Sequence, residues 1–126
     1  MIVIDASAVL EILSRTPTGL SLEEALSGME LQAPHLLDLE VLSAVRRWEF
    51  SGIAAPKEAA AILDAFLSMN IRRHTHTPYI PRIWSVRHNL TPYDAAYLAL
   101  AEALNAELLT MDSGLRKIAS PEPRHT

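Results

Sequence analysis

A chain of 126 residues that is 49% hydrophobic can bury one sizeable core, and that composition excludes a disordered segment. The absence of cysteine excludes disulfides and thiolate metal sites, and fifteen Asp and Glu against eleven Lys and Arg exclude a global basic field for nucleic acid. A net charge of −4 is still compatible with an RNA or DNA substrate, because four acids gathered at one metal site would leave the rest of the chain close to charge balance.

The chain reads as a single domain over residues 1–126. It has no apolar run of membrane-spanning length, and no basic leader precedes the opening MIVIDAS, so the expectation is no membrane and a reducing cytoplasm. Ile2-Val3-Ile4 is a short continuous apolar run, as in a central parallel strand buried on both faces. It ends at Asp5, and a helical pattern follows at once through Leu13, which places Asp5 at the carboxyl edge of a sheet. Thr16-Pro17-Thr18-Gly19 is expected to break the helix, with a second short helix over Leu20–Leu26 capped by Ser21.

Leu31-Gln32-Ala33 before Pro34 reads as a second strand. His35 to Phe50 is an amphipathic helix with Leu37, Val41, Ala44, Val45 and Trp48 as its buried stripe and Arg46, Arg47 and Glu49 outside. Glu40 lies beside the apolar stripe, where an acid needs a reason. Pro56 opens a helix that runs to about Ser68, Asn70–His74 is a short strand or loop, and Pro78–His88 carries a further helical pattern. Thr91-Pro92-Tyr93-Asp94 then has the order of a helix start: hydroxyl cap, proline at the first helical position, acid in the first turn. Ala95 to Leu104 has high helix propensity and packs on most faces. Asn105 stops it, and Glu107–Met111 is a short strand delivering Asp112. One or two helical turns over Leu115–Ala119 follow, with 121–126 as a tail or edge strand. Short apolar strands alternating with helices predict an α/β sandwich with a mostly parallel sheet.

Each acid has a purely structural role open to it. Asp5 and Asp94 fit helix caps, Asp112 an Asp-Ser-Gly turn, and Glu40 a partner for an arginine such as Arg47. Jointly they point elsewhere, because strand ends and the helix starts that follow them converge on one crevice in an open parallel sheet. Four carboxylates there repel one another and raise some of their own pKa values. Hard divalent cations relieve this, and all-oxygen ligation selects Mg²⁺ or Mn²⁺ over zinc. A phosphatase or phosphotransfer domain would also gather acids around Mg²⁺, but the Asp-x-Asp of one phosphatase class is here Asp5-Ala6-Ser7.

In VIDASAV with Asp5, LDLEVLSAVRR with Glu40, TPYDAAYLALAE with Asp94 and AELLTMD with Asp112, the chain resembles PIN-domain ribonucleases of the VapC toxin type. The similarity runs from Met1 to about Ala119. It departs from that pattern at Ser43, where relatives often carry asparagine, and at Ser113-Gly114, where a more basic run is usual.

The resemblance implies a PIN-like α/β/α sandwich and RNA cleavage by metal-activated water that leaves a 5′-phosphate. It also implies a cognate antitoxin and a homodimer; the alternative within the same fold is a PIN nuclease of RNA processing outside any toxin–antitoxin pair. Asp5, Glu40 and Asp94 would hold one Mg²⁺ (or Mn²⁺). Asp112 would complete the cluster through a second metal or a ligand water. Ser7 and Thr110 stand beside the acids and are placed to orient a carboxylate or a water, or else to act as helix cap and strand residue. Arg72, Arg73, Arg82 and Arg87 are candidates for a phosphate-binding rim or for an ordinary solvated face. His74-Thr75-His76 reads as a solvated loop, and Trp48, Trp84, Tyr93 and Tyr97 as core or interface.

Overall fold

A computed structural model describes residues 1–119 of the chain; the expected tail over 121–126 lies outside the described residues. Four strands, β1 (Ile2–Ile4), β2 (Leu31–Pro34), β3 (Ile71–His74) and β4 (Glu107–Leu109), form one sheet in the order β3-β2-β1-β4. Every neighbouring pair is parallel, with Val3 opposite Gln32 on one side and Leu108 on the other. Helices α1 (Ala6–Leu13), α2 (Pro17–Ala25), α3 (Leu36–Phe50) and α4 (Pro56–Ser68) connect the first three strands and pack on one another.

The chain then reverses direction across the sheet. After a 3₁₀ turn at Thr77–Tyr79 come α5 (Ile80–Ser85) and α6 (Pro92–Leu104), and α6 packs against β1, β2 and β4. Right-handed crossovers in opposite directions put α6 on the face away from α1–α4, which completes the expected α/β/α sandwich. The reversal falls between β1 and β4, so the crevice beyond their carboxyl ends is the topological switch point.

The core follows from the apolar runs. Val3, Ile4, Val9, Leu37, Val41, Tyr97 and Leu100 are fully buried, and the whole of Ala95–Ala101 in α6 is shielded from solvent. Leu37, Val41, Ala44 and Val45 form the buried stripe of α3 as expected, while Trp48 is only partly covered. One local expectation fails. α1 does end before Thr16, at Leu13, but α2 starts at Pro17 rather than at Leu20, with the Thr16 hydroxyl accepting from the Gly19 amide at 2.9 Å. Thr-Pro is as good a helix start as it is a break, and Ser21 falls inside the helix. Gly19 lets α2 lie directly on α1, since a Cβ there would stand 2.1 Å from the Glu11 carbonyl oxygen. Among the described residues no helix is long and apolar enough to cross a membrane.

Candidate active site

At the switch point Asp5, Ala6, Ser7, Glu40, Asp94, Tyr97 and Asp112 line one pocket of about 130 Å³. Larger cavities exist, about 360 Å³ between α1, α2 and α4 and about 340 Å³ between α5 and the starts of α3 and α6. The second is almost wholly apolar and the first pairs apolar walls with Arg15 and Glu23 at its rim, so neither gathers reactive groups. Chemistry rather than size singles out the small pocket.

Each acid arrives by a local rule of the fold. Asp5 follows β1 directly and caps α1, its Oδ1 accepting from the Ala8 amide at 3.0 Å. Asp94 is the third residue of α6, where its amide donates to the capping Thr91 hydroxyl at 3.2 Å. Asp112 follows β4, and its Oδ1 accepts from the Leu115 amide at 2.9 Å at the start of α7 (Ser113–Ala119). Glu40 projects from the second turn of α3. Asp5 and Asp112 therefore perform the structural roles their sequence context offers while also facing the pocket, whereas the Asp94 carboxylate closes no capping box. Glu40 does not pair with Arg47: its Oε1 accepts from the Tyr97 hydroxyl at 2.6 Å.

Asp5 is the anchor of the site and the most enclosed of the four, at 5% exposure. Ser7 Oγ donates to its Oδ1 at 2.6 Å, and the Thr110 hydroxyl donates to its Oδ2. The same two hydroxyls also reach β4's exit: Met111 N donates to Ser7 Oγ at 2.8 Å and Asp112 N to Thr110 Oγ1 at 3.0 Å. Ser7 and Thr110 thus stitch the start of α1 to the end of β4 around one carboxylate. With two donors, Oδ1 of Asp5 has both its lone-pair sites taken, while Oδ2, with one, keeps a lone pair free for the pocket.

The electrostatics are those of a crowded acid cluster. Burial first, then the charges of Asp94 and Asp5, push the Glu40 carboxyl above its ordinary value, against the lowering effect of the Tyr97 bond. Burial and the charges of Asp112 and Asp5 do the same to Asp94. Tyr97 is raised in turn by its burial and by donating to Glu40, so its phenol remains a proton donor at any physiological pH. Among the described residues no three acids or histidines are already closed into a metal-ligating group.

The four arginines do not gather at the pocket. Arg73 donates through Nε and Nη2 to Asp38 Oδ1 at 3.0 and 2.8 Å and lies over the Phe66 ring. Arg82 is bidentate to Glu102, at 2.7 and 2.9 Å. Arg87 stacks on Trp84, and Arg72 sits with Glu30, Leu31, Gln32 and Asn70 at the amino-terminal edge of the sheet. His74 is half-buried and bonds through its ring to Gln32 Oε1 at 2.5 Å, rather than standing in a solvated loop, while His76 is exposed. Sequence reasoning missed Tyr97, whose ring is core but whose hydroxyl belongs to the pocket. The signal for it was its position one turn after Asp94 on the same helix. It also missed Arg116, which ties α7 to the Thr110 carbonyl at 2.8 Å.

An all-parallel four-stranded sheet with acids collected at its switch point is the architecture of a PIN-domain nuclease. The chain belongs to the PIN-domain family, whose model matches residues 2–121, and it is a nuclease of the VapC ribonuclease type. It is similar to ribonuclease VapC1 of Mycobacterium tuberculosis, 43% identical over 115 residues that span 90% of this chain and 86% of that one. It is also similar to ribonuclease VapC12 of the same organism, at 36% identity over 91% of this chain and 89% of the relative. The fold matches the crystal structure of Mycobacterium tuberculosis VapC20, a toxin that cleaves the sarcin-ricin loop, with a TM-score of 0.71 at 16% identity over 99% of this chain and all of that one. A protein of Pyrobaculum aerophilum matches with a TM-score of 0.62 at 22% identity, over 90% of this chain and 81% of that one.

Proposed function

We propose that this chain is a Mg²⁺-dependent endoribonuclease toxin that hydrolyses RNA phosphodiesters with a metal-activated water. The observation that carries the reading is the convergence of Asp5, Glu40, Asp94 and Asp112, from all parts of the chain, on one pocket at the switch point of the sheet. The donor set fits a hard cation: four carboxylates, no sulfur and no imidazole among the pocket residues. The raised carboxyls of Glu40 and Asp94 fit it too, since a divalent charge favours their ionised forms against the burial, and then the neighbouring charges, that raise them.

Asp5, Glu40 and Asp94 would hold the ion. Asp112, exposed at the rim, would reach it through water or help hold a second one. When bound, such an ion supplies a water of lowered pKa and neutralises charge on the scissile phosphate. The chain's own part is to hold the carboxylates ready. Ser7 and Thr110 fix the Asp5 carboxylate through both oxygens, and the capped start of α6 fixes the backbone from which Asp94 projects.

The partners in this reading are RNA, a cognate antitoxin and a second copy of the chain. Exposed apolar side chains on α3, α5 and α6 (Leu39, Leu42, Trp84 and Tyr93) support a surface that another protein covers. Purified protein incubated with RNA should cleave it with Mg²⁺ and stop in EDTA. Asp94→Asn should lower cleavage by about 100-fold or more, beyond what the loss of a supporting residue around a metal costs. Undiminished cleavage by the Asn variant would refute the assigned site, and cleavage in EDTA would refute the metal.

A further inference from the structure

Tyr97 has no place among the acids, yet it is the one uncharged side chain in the pocket whose polar atom engages a proposed ligand from a different helix. It is 1% exposed, so its phenol is held by packing on all sides. Its hydroxyl donates to Glu40 Oε1 at 2.6 Å, across from α6 to α3. Glutamate has three side-chain torsions, and Glu40 receives no other hydrogen bond among the described residues. Without the phenol its carboxylate is free to sample several rotamers, which costs entropy on every binding event. With it, Oε1 is pinned, and Oε2 and a lone pair of Oε1 remain for the pocket. Tyr97 also lies one helical turn after Asp94, so the same rigid helix places one carboxylate directly and a second by hydrogen bond.

We infer that Tyr97 is a positioning residue that presets the Glu40 carboxylate for a divalent cation. This rests on the reading of Glu40 as a metal ligand. The competing account is that Glu40 merely satisfies a buried phenol, and the two differ in what removing the hydroxyl does to cation affinity.

The probe is Mn²⁺ alone, titrated calorimetrically without RNA into wild type, Tyr97→Phe, Glu40→Gln and the double variant. Loss of a supporting hydrogen bond around a ligand should weaken Mn²⁺ binding by about 10-fold or more in Tyr97→Phe. Its circular dichroism should match wild type. In the Glu40→Gln background the same substitution should change affinity by less than about twofold, because Tyr97 acts through Glu40. Wild-type affinity in Tyr97→Phe alongside weakened Glu40→Gln overturns the positioning role and leaves the site standing. Unweakened binding by Glu40→Gln instead removes Glu40 as a ligand and with it the premise. A Tyr97→Phe effect of equal size in both backgrounds also overturns the inference. Should Tyr97→Phe lose its folded spectrum, Glu40→Asp serves: it keeps the charge but draws the carboxylate one methylene back from the phenol. Affinity equal to wild type in that variant refutes presetting.

Discussion

Replacing Thr110 with valine keeps the shape of a side chain that is 1% exposed and removes one hydroxyl. That hydroxyl is the only hydrogen-bond donor to Asp5 Oδ2 among the described residues, and it accepts from the Asp112 amide at 3.0 Å. A buried carboxylate oxygen that loses a charge-assisted bond costs about 1.5–3 kcal/mol, and the unmet amide adds to this. The valine methyl returns about 0.8 kcal/mol through burial. The expected net loss is about 2 kcal/mol, or roughly 6–10 °C in Tm for a domain of this size. Ser7→Ala is the internal standard: it too removes a donor to Asp5, but Oδ1 keeps the Ala8 amide at 3.0 Å, so its cost should be about half. Urea unfolding in EDTA, with both variants beside wild type, measures the difference directly. A Thr110→Val loss no larger than that of Ser7→Ala refutes the claim that this hydroxyl alone supports one oxygen of the anchor carboxylate.

Glu40→Gln should stabilise the metal-free protein at neutral pH. A carboxyl whose pKa rises on folding contributes its full stability below the ordinary carboxylate range and loses it as pH climbs through the raised value. The gain should therefore fade below about pH 4 in thermal scans, and a loss of stability at pH 7 would contradict it. Added Mn²⁺ should stabilise wild type by about 2.7 kcal/mol at 100 times its Kd and the Gln variant by less. Arg73→Gln should cost about 1 kcal/mol in urea, through its bonds to Asp38 and its stacking on Phe66, while leaving the KM for RNA within twofold. A raised KM with unchanged stability would return Arg73 to the RNA surface.

The elements whose signals are local were legible. Thr91-Pro92 and Asn105 bound α6 where capping chemistry says they should, with Asn105 in the left-handed region at φ 50°. Pro56 opens α4 and Ser68 closes it. The start of α2 was misplaced because Thr-Pro serves both to end one helix and to begin the next, and here it does both, with Gly19 packed on α1. The partners of the arginines were illegible for a different reason. Asp38 and Glu102 are one acid each among fifteen, and nothing near Arg73 or Arg82 in the chain selects them.

The sequence by itself determined where carboxylates fall relative to strand ends and helix starts, because capping and strand termination act over three or four residues. That places Asp5, Asp94 and Asp112 at the carboxyl edge of a sheet before any tertiary contact is known. Only the tertiary structure decided that these edges meet. The strand order β3-β2-β1-β4 sets β4 beside β1, so that Thr110 closes on Asp5 from the other end of the chain. It also brought Glu40 to Tyr97, a contact between helices on opposite faces of the sheet that forms only once the chain has reversed direction across it. Hydrogen bonds of that reach depend on which elements pack together, and short-range propensity carries no information about that choice.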